Sequence, residues 1–155
     1  MGTISENFSF AEFENTQHTD LRIANVITSV EVRDNIIELV HNILQPLRAV
    51  YGKPLTITSG YRCPELNKRV GGSPTSAHLK GLAADIVPDS CTTQEERRAF
   101  ISWAIAYLKN NGFKFDQLIE EHNSKGVYWL HIGWKNLKGE QRQQVKINFL
   151  KKIKL

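Results

Sequence analysis

A chain of 155 residues with 41% apolar and 23% charged side chains has the make-up of one compact domain, which excludes a disordered or fibrous polymer. No window reaches the eighteen or so apolar residues of a membrane span, and two cysteines are too few for a disulfide scaffold. The net charge of +4 gathers near the end, in Lys135, Lys138, Arg142, Lys146, Lys151, Lys152 and Lys154; this basic tail, about 135–155, reads foremost as a solvated face, and no nucleic-acid partner is expected.

The opening MGTISENFSFAEFEN has neither a basic leader nor an apolar signal core, so synthesis in the cytoplasm without a signal peptide is the expectation. Within it Phe10 and Phe13, three apart, predict a short helix or turn, and residues 1–28 read as a packing segment. From Ser29 to Tyr51, Val32, Ile36, Leu39, Ile43, Leu47 and Val50 follow helical spacing, with Pro46 predicting a kink or break near Gln45. His41 on this helix is expected to be a surface or packed residue.

Gly52-Lys53-Pro54 ends the helix, and LTITSGYR alternates as a strand does. CPELNKRVGG predicts a helical turn stopped by Gly71 and Gly72, and SPTSAH a loop leading to His78. LAADIV is the apolar run of a buried strand, with a carboxylate, Asp85, inside it; such a group is costly to bury unless paired or metal-bound. Thr92 or Thr93 with Glu95 or Glu96 predicts a capping box that opens a helix ending at Asn111-Gly112. FDQLIEE, VYWLHIGW and QVKINF then read as strands. With no linker or repeat, the expectation is a single α+β domain over 1–155, an antiparallel sheet packed against helices. Cys63 and Cys91, far apart and outside any Cys-x-x-Cys pair, are expected as free thiols without a catalytic role.

Two histidines and an aspartate, His78, Asp85 and His131, are the residue types that hold zinc and leave a position for water. His78 and Asp85 flank a turn of small residues, Gly81 and Ala83, that lets both converge, and His131 must reach them from a neighbouring strand. By spacing alone the signal is weak.

The run Ser76-Ala-His78-Leu-Lys-Gly81-Leu-Ala83-Ala-Asp85 resembles the Ser-x-His-x-x-Gly-x-Ala-x-Asp motif of the zinc D-alanyl-D-alanine carboxypeptidase-like peptidases, which include phage endolysins. SGYRCPELN, FDQLIEE and WLHIGW resemble that family in the same order, from about Leu44 to Trp134. The resemblance implies a hedgehog/DD-peptidase-like fold and Zn2+ held by His78, Asp85 and His131. It implies hydrolysis of peptide bonds in peptidoglycan stem peptides or cross-links, with action at the wall after phage-type release and a monomer as the expected state.

Several relatives carry the catalytic base three residues before the last histidine, where this chain has Tyr128; Glu121 matches the acidic position of the nearest subgroup and is the expected base. On a regular strand Glu120 should face the other way. Arg62 matches the family arginine and is expected to bind substrate and take part in catalysis, the alternative being a surface salt bridge to Glu65 or another acid. Ser76 is expected to orient a ligand or substrate, or to make an ordinary loop hydrogen bond. Asp116 and Gln117 are read as groups that fix a ligand histidine, and Trp129 and Trp134 as packing. The alternative function is a zinc-containing binding module of the same fold without turnover, which Tyr128 motivates.

Overall fold

The computed structural model describes residues 2–152; Lys154, counted above with the basic end, lies outside them. Phe8, Phe10 and Phe13 are all buried, the latter two on the short helix α1 (Phe10–Glu14). Ser9 and Glu12 cap α1 reciprocally, the Ser9 N–H donating to Glu12 Oε2 at 2.7 Å.

The long apolar-stripe segment runs as α2 (Val30–Leu39), a π-helical turn (Val40–Leu44) and α3 (Gln45–Tyr51). The discontinuity thus falls a turn earlier than Pro46 predicts. Pro46 has no N–H to give to the helix, and the wider turn ahead of it lets the chain continue as α3. Ile36, Leu39, Ile43 and Leu47 are buried, whereas Val50, beside the left-handed C-cap Gly52, is 52% exposed and leaves the stripe. His41 is on the surface.

Strand β1 (Leu55–Ser59) is followed by α4 (Pro64–Arg69), whose N-cap is Cys63, its Sγ accepting from the Leu66 N–H. Both cysteines are free. SPTSAH is more ordered than a loop: a 3-10 turn spans Ala77–Lys80 and delivers the chain into β2 (Ala83–Pro88). Helix α5 (Gln94–Asn110) begins at Thr93, whose Oγ1 accepts from Glu96 N–H while Glu96 Oε1 accepts from Thr93 N–H. β3 (Gln117–His122), β4 (Tyr128–Gly133) and β5 (Gln144–Leu150) complete one sheet in the order β1-β2-β4-β3-β5.

The fold is α+β, and β1, β2, β4 and β3 pair antiparallel as expected. β5 differs: it runs parallel to β3 at the sheet edge, so the sheet is mixed. One face of the sheet, with Ala84, Ile86, Leu118, Leu130 and Ile132, is packed against α5 and the α2–α3 segment in the main core. The alternate residues, among them Asp85, His131 and Glu121, therefore point away from the helices.

Candidate metal centre

Asp85 and His131 face each other directly across the β2–β4 ladder, and Asp85 Oδ1 lies 3.0 Å from His131 Nδ1. His78 arrives from the 3-10 turn, whose first backbone groups are capped by Ser76: its Oγ accepts from the His78 N–H at 3.3 Å. The turn closes at Gly81 with φ +70°, and a Cβ there would lie 2.8 Å from Ile36 Cγ1 and 2.9 Å from the Val32 carbonyl oxygen. A left-handed backbone pressed on α2 admits only glycine, so the motif spacing that aims His78 at Asp85 depends on it.

His78 Nε2 lies 3.4 Å from Asp85 Oδ1, while its Nδ1 lies 2.7 Å from the Gly60 carbonyl oxygen. A carbonyl can only accept, so Nδ1 carries the proton and Nε2 offers its lone pair to the cluster. Gly60 is itself squeezed: a Cβ would lie 2.8 Å from the Phe13 Cα, which ties the carbonyl's position to α1.

One ligand atom from each of His78, Asp85 and His131 lies within 4.8 Å of the others. Two imidazole nitrogens and one carboxylate oxygen, one imidazole held in a fixed tautomer, form a donor set that fits zinc with a position left for water or substrate. Burial, aided by the nearby Arg62 charge, lowers His78 to about 4, so it stands neutral and ready to ligate. Burial would raise Asp85, but the two imidazoles outweigh it and hold the carboxylate well below its usual range. For His131 burial works against the proton, and the Asp85 hydrogen bond with the fields of Glu121 and Asp85 overcomes it, raising the imidazole above its ordinary value.

Arg62 is buried rather than paired with Glu65 on the surface. Its Nε donates to Ser59 Oγ at 3.1 Å and its Nη1 to Asn67 Oδ1 at 3.2 Å, leaving Nη2 3.8 Å from Asp85 Oδ2. Glu121 lies on the same face, accepting from Trp129 Nε1 at 2.8 Å, with Lys151 Nζ 3.9 Å away. Burial first, and the Asp85 charge after it, raise its pKa, partly offset by His131. Glu120 points to the helices, where Arg98 binds both of its oxygens.

A cavity of about 280 Å³ joins Arg62, Ser76, His78, Asp85, Glu121 and His131. Tyr128 is absent from its lining; its hydroxyl donates to Asn148 Oδ1 at 2.8 Å, and Arg98 lies over its ring. Trp129 lines the cavity as well as packing, whereas Trp134 is held in the core, its Nε1 donating to Glu38. The expectation for Asp116 and Gln117 is corrected: Asp116 receives a two-pronged Arg142 guanidinium at 2.7 and 2.8 Å, and Gln117 donates to Gln144. Among the described residues neither bonds a histidine.

Two sets of residues went unnoticed in the sequence. Asn25, fully buried, donates to the Glu14 and Tyr61 carbonyls and accepts from the Cys63 N–H at 2.7 Å, pinning the loop that carries Gly60 and Arg62 to the N-terminal segment. No periodicity marks a lone asparagine in a polar stretch. Lys146, Phe149 and Lys151, in the end read as solvated, line the cavity, with Lys146 and Phe149 still exposed to solvent.

The family model described as Peptidase M15 matches residues 7–124, roughly three quarters of the chain. The match takes in His78 and Asp85 and stops before β4, so His131 joins the group through its place opposite Asp85. Comparison with curated proteins found no match.

Proposed function

Because the chain belongs to the Peptidase M15 family, we propose that it is a zinc metallopeptidase hydrolysing peptide bonds in peptidoglycan stem peptides or their cross-links. The observation that carries this reading is the convergence of His78, Asp85 and His131 ligand atoms within 4.8 Å, in a cavity that also holds Glu121 and Arg62. Held by His78, Asp85 and His131, zinc would supply a Lewis acid and bring the pKa of a bound water toward neutrality.

The protein's own groups do the rest. Glu121, raised by burial, is suited to take a proton from water and return it to the leaving amine. Trp129 holds Oε1, and Oε2, 3.9 Å from the Lys151 ammonium, is the oxygen left to exchange a proton. Arg62, fixed by Ser59 and Asn67, presents Nη2 to a substrate carboxylate or a developing oxyanion. Ser76 sets the backbone of His78 and borders the substrate cavity. Action at the wall would follow delivery there, as in phage-type release.

The test is digestion of purified peptidoglycan by the zinc-loaded protein, with and without chelator, products read by mass spectrometry. New peptide termini that vanish with chelator and return with zinc are the expected result. Zinc retention without any metal-dependent product would overturn the peptidase reading in favour of a binding module.

A further inference from the structure

The edge strand β5 departs from regular alternation at one point. Ile119 pairs with Lys146, but Glu121 pairs with Phe149, so β5 spends one residue more than β3 between these rows. Asn148 sits in this bulge with φ +55°, a left-handed value that asparagine tolerates better than other side chains with a Cβ. Three groups hold it: its N–H donates to Glu120 Oε1 at 3.0 Å, Glu120 is anchored by Arg98, and the Tyr128 hydroxyl donates to its Oδ1.

Strict alternation would put Lys146 on one face and Phe149 and Lys151 on the other. The extra residue reverses the phase, and all three line the cavity that contains the metal cluster. The charges there pair off unevenly. Arg142 is taken by Asp116, Arg62 faces Asp85, and Lys151 lies 3.9 Å from Glu121. Lys146 has no carboxylate within 4.0 Å among the described residues; its ammonium lies 5.3 Å from the centre of the Phe149 ring.

We infer that β5 is the substrate-selecting wall of the site: Lys146, in the same cavity lining as Lys151, binds a free carboxylate of an acidic peptide next to the His78–Asp85–His131 cluster. Phe149 covers the adjoining apolar part of that peptide. The Lys146 ammonium is solvent-exposed, with the Phe149 ring beside it, on a strand bent to face a cavity, where an anion from outside the chain can match it. For the kind of ligand, the inference rests on the peptidase reading.

The experiment compares two stem-type peptides identical except that one acidic side chain is a carboxylate in the first and an amide in the second. Steady-state hydrolysis by the zinc-loaded protein is measured for the unmodified chain, Lys146→Gln and Lys146→Arg, and calorimetric titration of both peptides into metal-depleted protein reads binding without turnover. The unmodified chain should favour the carboxylate peptide by about tenfold, the size of one charge-assisted contact, chiefly through KM. Lys146→Gln should erase most of that preference in both measurements, and Lys146→Arg should keep it. Deleting Asn148, which restores plain alternation, should also erase it. Equal handling of the two peptides by the unmodified chain, or an undiminished preference in Lys146→Gln, overturns the inference. If neither peptide is hydrolysed, the peptidase reading fails, and the titration still decides whether Lys146 selects the carboxylate.

Discussion

On the helix-covered face of β3, Glu120 is saturated: two guanidinium nitrogens of Arg98 and the N–H of Asn148 occupy its oxygens, and it serves as a structural strut. On the opposite face its neighbour Glu121 is as deeply buried, yet its direct hydrogen bond comes from Trp129, and Lys151 stays 3.9 Å away. Burial without full compensation raises the pKa of Glu121. Two adjacent carboxylates thus show how strand alternation separates stability from chemistry: one face spends its polar groups on each other, and the other leaves them short of partners.

The sharpest way to break this contrast is to remove a group from the site face and ask whether the fold survives. His131→Ala takes away one of the three ligand atoms, so zinc retention should fall by more than the roughly 10–100-fold that loss of a supporting hydrogen bond causes, with hydrolysis reduced to background. Metal analysis after dialysis and circular dichroism check both halves. Glu121→Gln should lower kcat by about 10²–10⁴-fold while zinc stays bound. A variant that turns over normally would move the proton transfer to another group.

Acid should weaken the site before it weakens the fold. His131 holds a proton up to a pKa above its ordinary value, and zinc must displace that proton. Affinity should therefore be level above this raised pKa and fall about tenfold per pH unit below it. His78, lowered to about 4, joins the competition only near that pH. Zinc titrations across pH, with the protons released counted from buffer ionisation heats, would show one proton in the upper window; two would mean that both imidazoles are protonated there.

The smallest effect belongs to the helix face. Glu120→Gln keeps the shape but removes the charge facing Arg98, so unfolding should become easier by about 1–3 kcal/mol with kcat little changed. Denaturant melts alongside kinetics would test it, and a large loss of kcat with unaltered stability would collapse the distinction between the two faces.

Much of this arrangement could be read from residue order. Asp85 stood out because a carboxylate inside LAADIV needs a partner, and the opposed directions of Glu120 and Glu121 follow from regular alternation in β3. The helical stripe through Leu47 and the Thr93–Glu96 cap were equally legible, since both rest on local spacing. Where local spacing is not the cause, the sequence was mute. The fate of Asp116 was decided by Arg142, distant along the chain, and that of Gln117 by the parallel addition of β5. Lys146 and Lys151 were read with the basic end as a solvated face, and Lys146 is indeed exposed; that the inserted Asn148 turns both toward the cavity has no mark in local spacing.

The same bulge matters for how the protein behaves in a crowd. β5 is an outer strand bearing exposed Ile147, Phe149 and Leu150, the kind of apolar ribbon on which a foreign strand could grow into a cross-chain sheet. The kink at Asn148 breaks the even ladder of amide and carbonyl groups that such growth needs, and Lys146 and Lys151 flank it with charge. Restoring plain alternation should leave a straighter edge, more open to pairing with another chain.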